Sequence, residues 1–173
     1  MADDFKALMK NAYSIGFEHE KNFHGCAQCT IGALYEVFPK LRNEDIFKSA
    51  SGMGGGVGLT CLGHCGALSG GVMVLSQIYG RELHQISDPE RKRAVAFKLG
   101  EKLVSYFLDE YGTIICHQIQ EKIMGRSFRL LDSQDKKIFE AMGGHMSVCP
   151  AVVGKGVQWT LELIEKERAK KNR

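Results

Sequence analysis

The spacing of the apolar residues is the feature that most constrains the fold of this chain. They recur every three or four positions along most of its length, as on one face of an α-helix, and convincing strand alternation is absent. The pattern predicts long helices over residues 5–13, 26–37, 61–79, 89–111 and 150–164, with shorter ones over 116–123 and 134–142. We therefore predict an all-α fold, a single-domain helical bundle.

One glycine-rich segment interrupts the helical pattern. Residues 51–58 read Ser-Gly-Met-Gly-Gly-Gly-Val-Gly, and each glycine inside a helix costs about 1 kcal/mol relative to alanine. We predict a loop here that leads directly into the helix carrying Cys61. The backbone N–H groups of Gly54, Gly55 and Gly56 are then able to approach a bound anion or cluster closely. No Gly-Lys-Ser/Thr follows, so the segment is not a phosphate-binding P-loop.

Size and composition favour one domain spanning residues 1–173. The chain is 44% hydrophobic and 25% charged, which is enough apolar material for one sizeable core. Its formal net charge of +3 comes partly from a basic cluster after Glu165. We interpret that cluster as a solvated helix end and not a nucleic-acid site, because no aromatic residues interleave the charges. No targeting segment or membrane span is expected, and we predict a cytoplasmic protein.

Six cysteines lie where the predicted helices are expected to begin. They are Cys26, Cys29, Cys61, Cys65, Cys116 and Cys149. The first turn of a helix leaves N–H groups unpaired and carries the positive end of the helix dipole, so it lowers the pKa of a thiol there. If these helix starts meet in space, they form a thiolate-rich pocket. In a reducing cytosol, metal binding or active thiols explain six cysteines better than structural disulfides do.

The spacing within the cysteine pairs leaves several chemistries open. Cys26 and Cys29 are three positions apart, and Cys61 and Cys65 are four apart, so each pair is expected to project from one helix face. Thiolates bind iron–sulfur clusters, zinc and copper, but either pair would also serve a metal-free thiol–disulfide oxidoreductase. A third hypothesis is a metal sensor or carrier that uses the same thiolates but catalyses no reaction. Among the histidines we select His64, between two cysteines, as an additional cofactor-binding residue.

Residues 65–70, Cys-Gly-Ala-Leu-Ser-Gly, carry a resemblance to a known family. Together with Cys26-Ala27-Gln28, the glycine-rich loop and the later cysteines, they make the chain resemble the C_GCAxxG_C_C family of redox-active proteins over about residues 16–164. The resemblance implies a small helical redox protein with four recurrent cysteines, matched here by Cys26, Cys65, Cys116 and Cys149. The chain is also similar to the non-haem part of split-Soret-type cytochromes, which implies iron–sulfur binding and a homodimer.

Two cysteines depart from the four-cysteine family pattern. Cys29 and Cys61 each lie about one helical turn from a family cysteine, and we interpret them as extra ligands or as a dithiol beside the metal. Residues 143–146, Gly-Gly-His-Met, are expected to form a loop over this centre. The resulting hypothesis is a protein that binds an iron–sulfur cluster through its thiolates and exchanges electrons with a redox partner, with zinc and copper as alternative metals.

Overall fold

The computed structural model describes residues 2–171, and within that range the chain forms eight α-helices and no β-strand. The helices are α1 (Ala2–Phe23), α2 (Cys26–Val37), α3 (Glu44–Ser49), α4 (Gly66–Tyr79), α5 (Lys92–Tyr111), α6 (Cys116–Met124), α7 (Ser133–Ala141) and α8 (Cys149–Lys171). Short 3-10 segments lie at Pro39–Leu41, Ser51–Met53 and Leu83–Gln85. The predicted all-α class is confirmed. Among the described helices, none is long and apolar enough to cross a membrane.

Helix α8 lies at the centre of the bundle and packs against α1, α2, α4 and α5. The residues whose spacing predicted this helix, Val153, Val157, Leu161 and Ile164, are all buried. Burying a side chain of this size contributes roughly 1.5–3 kcal/mol. The apolar stripe is therefore the reason why the last helix forms the core of the fold.

Glycines allow the helices to cross closely. A Cβ added to Gly16 in α1 would lie 2.7 Å from the Val157 side chain of α8. A Cβ on Gly70 in α4 would lie 2.5 Å from the Ala27 carbonyl oxygen of α2. Real Cβ contacts are longer than this, since carbon atoms pack best at about 3.5–4.0 Å. The second crossing brings the first turns of α2 and α4 side by side.

Helix α4 begins at Gly66, and the prediction that it begins at Cys61 is wrong. Residues 55–59 and Cys61 all have positive φ, between 55° and 66°, and this left-handed conformation cannot continue a right-handed helix. Backbone hydrogen bonds form within the segment, one of them from the Cys61 N–H to the Gly55 carbonyl at 2.9 Å. Cys61 and Cys65 consequently do not share a helix face.

Helix α5 begins at Lys92 and not at Pro89. Asp88 has a φ of 54°, so the chain turns after it before the helix starts. The buried Asp88 carboxylate nevertheless caps the helix, because it accepts the Lys92 N–H at 2.7 Å and the Arg93 N–H at 3.1 Å. Gly112, with a φ of 73°, follows the last residue of the helix, as predicted.

The segment before Cys149 forms a π-helix, Gly144–Val148, where the sequence predicted a loop. A Cβ on Gly144 would lie 2.3 Å from the Phe139 ring, so this packing requires glycine. The π-helix runs directly into α8 and makes Cys149 the first residue of that helix. Single π-helical turns of this kind are frequent at functional sites.

Candidate functional site

Four cysteines from four different places in the chain line one cavity. Cys26, Cys116 and Cys149 begin α2, α6 and α8, and Cys65 is the residue immediately before α4. The cavity has a volume of about 70 Å³. A single water molecule needs roughly 10–15 Å³ by the same measure, so the space accommodates a group of several atoms.

The rest of the cavity wall is mainly apolar. It includes Leu59, Ile119, Leu130, Val152 and Val153. Apolar walls exclude water and lower the local dielectric constant, which strengthens every electrostatic interaction with a group held inside. The cavity is thus a place where small changes of charge have large energetic effects.

Two of the four additional residues selected from the sequence line the cavity. Gly54 and Gly55 lie in its wall, whereas Gly56 and His64 are not among its lining residues. His64 is exposed, and its backbone forms an isolated β-bridge with Ile115. The bridge fixes the loop before α4 against the turn before α6. His64 therefore helps to position these two segments through its backbone and not through its side chain.

Backbone N–H groups are directed at the cavity sulfurs. The Sγ of Cys26 accepts hydrogen bonds from the N–H groups of Gly55 and Gly66, and the Sγ of Cys65 accepts them from the first turn of α4. A Cβ on Gly66 would lie 2.3 Å from the Cys26 Sγ, so this approach requires glycine. N–H donors of this kind stabilise a thiolate and tune the metal that it binds.

Burial raises the pKa of the cavity thiols in spite of these donors. The pKa of Cys65 rises to about 11, and the pKa values of Cys26 and Cys149 are also raised, with loss of solvation as the largest cause in each. The expectation that the helix starts lower these pKa values is therefore wrong, because desolvation outweighs the N–H donors. At neutral pH these three thiols are protonated in the free protein.

A buried carboxyl group also lines the cavity. Glu20 of α1 is 2% exposed, and its Oε2 has no hydrogen-bond partner. Burial raises the pKa of Glu20 to about 7, and contact with the Cys29 thiol partly offsets this rise. Glu20 was not among the residues selected from the sequence, although it continues the buried stripe of Met9, Ala12 and Gly16 at helical spacing.

Cys29 has surroundings different from those of the cavity cysteines. It is buried between α1 and α2, its thiol donates a hydrogen bond to the His24 carbonyl at 2.9 Å, and it is not among the residues that line the cavity. Burial and the nearby Glu20 carboxyl raise its pKa. The two cysteines of the Cys26–Cys29 pair therefore occupy different environments.

Cys61 lies next to Cys116, behind the cavity wall. The two thiols hydrogen-bond to each other, and the Gln120 Nε2 lies 3.7 Å from the Cys61 Sγ and 3.9 Å from the Cys116 Sγ. Their shared hydrogen bond lowers the pKa of Cys61 and raises that of Cys116. The contact brings one of the two extra cysteines against a family cysteine that lines the cavity.

The histidine at the cavity is His145, in the π-helix. Its Nδ1 lies 2.7 Å from the Glu140 Oε1, and its ring contacts that of His24 in a tilted arrangement, with centroids 4.2 Å apart and planes 47° apart. Burial lowers the pKa of His145. Of the two rings, only His145 belongs to the cavity wall.

The thiols surround the cavity without meeting at one point. Among residues 2–171, no three His, Cys, Asp or Glu side chains are grouped so that they could hold a single metal ion. Ligands of a cluster have a different requirement, because they are distributed over two or four iron atoms and so need not converge on one point.

A protein-family model matches residues 24–163. The family is C_GCAxxG_C_C, described as a putative redox-active protein. The matched range contains all six cysteines and the whole glycine-rich loop. No curated protein and no solved structure shows a significant match.

Proposed function

The chain belongs to the C_GCAxxG_C_C family of redox-active proteins, and from this premise we propose that it binds an iron–sulfur cluster and transfers electrons. The proposed ligands are the thiolates of Cys26, Cys65, Cys116 and Cys149. One observation carries the proposal: these four cysteines, distant in sequence, line the same cavity. Four thiolates are the usual ligand set of iron–sulfur clusters.

The volume of the cavity favours a cluster over a single zinc or copper ion. About 70 Å³ is several times the space that one water molecule needs, roughly 10–15 Å³. The four cysteines line its wall, but among residues 2–171 no three potential ligands are grouped as the tetrahedron of a structural zinc site would require. A polynuclear group fits this donor set better.

The unpartnered Glu20 oxygen also supports a bound group. A buried oxygen without a hydrogen-bond partner costs about 1–3 kcal/mol, and such an atom in a native protein calls for an explanation such as an absent ion or water. The Glu20 Oε2 belongs to a residue that lines the cavity. A hydrogen-bonding group inside the cavity would relieve this cost, and a cluster held by thiolates, being anionic, would favour the protonated form of the carboxyl group.

The protein's own groups have three tasks in this proposal. The thiols release their protons as they become ligands, which makes uptake favourable at higher pH because burial raises the pKa of Cys65 to about 11. The N–H groups of Gly55 and Gly66 then stabilise the negative charge on the Cys26 sulfur. The apolar wall excludes water. When bound, an iron–sulfur cluster accepts and releases single electrons, which a separate redox partner must supply and remove.

Replacement of single cysteines by serine tests the proposal. Each variant is purified without oxygen, and its iron, acid-labile sulfide, zinc and copper contents are measured together with the visible absorption spectrum. We expect Cys26→Ser, Cys65→Ser, Cys116→Ser and Cys149→Ser to lose most of the iron and sulfide. Cys29→Ser is the matched control, since Cys29 is a buried cysteine outside the cavity wall, and it should retain both.

The same analysis distinguishes the alternatives. Full retention of iron and sulfide in all four cavity variants would refute the proposed ligand set. Zinc or copper without sulfide in the wild type would favour a metal sensor or carrier. A wild type that contains no metal and cannot be reconstituted, but has reactive thiols, would favour a metal-free oxidoreductase.

A further inference from the structure

The contact between Cys61 and Cys116 is built more rigidly than a chance approach of two thiols. Gln120 is buried, and its Oε1 accepts the Phe128 N–H at 3.0 Å. This bond fixes the orientation of the amide, so its NH₂ group faces both sulfurs, at 3.7 Å and 3.9 Å. A single side chain therefore holds the two thiols side by side.

The backbones of the two cysteines are also held together. The Cys116 N–H donates to the Gly63 carbonyl at 3.0 Å, and the His117 N–H donates to the Cys61 carbonyl at 3.0 Å. A Cβ on Gly56 would lie 2.7 Å from both the Cys61 Cα and the Cys116 Cβ. Those two atoms are thus at most twice that distance apart. The Cys116 Cα lies one bond of about 1.5 Å further away, so the two Cα atoms are at most about 7 Å apart. This limit overlaps the range found in disulfides, whose Cα atoms lie roughly 4.4–6.8 Å apart.

The pair connects two different spaces. Cys116 lines the cavity of about 70 Å³, whereas Cys61 lines a more open cleft of about 550 Å³ together with His117, Arg126 and Arg129. Cys61 itself is only 2% exposed, so a small molecule suits this cleft better than a protein as its reaction partner. A reactant that enters the cleft meets Cys61 before it can meet Cys116.

We propose that Cys61 and Cys116 form a reversible disulfide by exchange with a small-molecule disulfide, and that this bond removes Cys116 from the ligand set of the cavity. The second half rests on the proposed cluster function, but the disulfide itself does not. Cys116 is the shared residue: its sulfur can bond to iron or to the Cys61 sulfur, and not to both. Oxidation of the pair and occupation of the cavity then exclude each other.

The exchange proceeds in two balanced steps. The Cys61 thiolate attacks one sulfur of the small disulfide, forms a mixed disulfide with it and releases the other half as a thiolate. The Cys116 thiolate then attacks the Cys61 sulfur, forms the Cys61–Cys116 bond and releases the second half. The two thiol protons pass to the two leaving thiolates. The cysteine pair loses two electrons, and the small disulfide gains them.

Oxidised glutathione is the probe for the first half of the proposal. Reduced, metal-free protein is incubated with it, and the products are analysed by mass spectrometry of the whole chain and of its peptides. We expect a species two hydrogens lighter, in which the peptide with Cys61 is linked to the peptide with Cys116. A different cysteine pairing, or glutathione adducts without this link, would overturn the proposal.

Anaerobic reconstitution with iron and sulfide tests the second half. The oxidised protein should take up at least about tenfold less iron than the reduced protein, and reduction should restore uptake. Cys61→Ser and Cys61→Ala should form no such link and should take up iron equally before and after glutathione treatment. Cys29→Ala, the other extra cysteine, should behave like the wild type.

The two halves fail in different ways. If the disulfide forms and iron uptake is unchanged, the mutual exclusion is refuted. If reduced wild type takes up no iron while the link still forms, the proposed cluster fails and the disulfide is supported.

Discussion

The Gly66→Ala substitution tests the contact between the first turn of α4 and the Cys26 thiol. The new Cβ would lie 2.3 Å from the Cys26 Sγ and 2.9 Å from the Ala27 backbone nitrogen. Non-bonded atoms of this kind are stable at about 3.5–4.0 Å, so the sulfur must move by roughly 1 Å or more. The second neighbour is backbone and cannot rotate away. Overpacking of this kind costs roughly 1–3 kcal/mol.

The same displacement should also affect cofactor binding. Ligand positions must be kept to within about 0.5 Å for a site to function, and the expected shift of the Cys26 sulfur exceeds that. We therefore expect Gly66→Ala to lower both the free energy of unfolding of the metal-free protein, measured in urea, and the iron content after reconstitution.

Gly52→Ala is the matched control for this prediction. It has no heavy atom within 4 Å of the added Cβ, so the free energy of unfolding should change by no more than about 0.5 kcal/mol. Iron content should be that of the wild type. If Gly66→Ala matched Gly52→Ala in both measurements, the proposed tight packing of α4 against Cys26 would be refuted.

Substitutions at three further positions test other parts of the structure, each by urea unfolding of the metal-free protein. The folded-state pKa of Glu20, about 7, lies above its ordinary 4.5, so its contribution to the free energy of unfolding is complete below about pH 4.5 and is lost as the pH rises through about 7. Glu20→Gln should remove this loss of roughly 3 kcal/mol. If the free energy of unfolding of Glu20→Gln depended on pH as in the wild type, the burial of Glu20 would be contradicted. Val57→Gly should raise the free energy of unfolding by about 0.5–1 kcal/mol, because Val57 has a φ of 66°; a decrease would argue against that conformation. Asp88→Ala should lower it by about 1–2 kcal/mol, and Asp88→Asn by less, since the side chain caps α5; equal losses in both variants would count against capping.

Helical periodicity predicted the fold class because it depends on local spacing. The stripe from Val153 to Ile164 reads as a helix in the sequence and is buried in the structure. The glycine-rich segment was predicted as a loop for an equally local reason, the cost of glycine in a helix. Its left-handed conformation at Val57, Leu59 and Cys61 has no such local signal, because these residue types seldom adopt positive φ.

The candidate site depends on features that the sequence does not contain. The cysteines at helix starts were recognisable, but the neighbour of Cys61 was not, since Cys116 approaches it only through tertiary packing. The pKa values of Cys26 and Cys65 are raised, opposite to the prediction, because burial, which is a property of the whole fold, outweighs the helix N-terminus. The burial of Glu20 has no signal in the sequence either, because a carboxylate is usually exposed and only tertiary packing buries this one.

A redox titration of the reconstituted wild type tests the central claim most directly. Protein reconstituted without oxygen is analysed for iron and acid-labile sulfide, and its visible absorption and electron paramagnetic resonance spectra are recorded as the potential is changed. We predict iron and sulfide in comparable amounts and a charge-transfer absorption that is lost and recovered reversibly with one electron per cluster. A protein that retains no iron and sulfide after reconstitution, or whose spectrum does not respond to potential, would contradict the account.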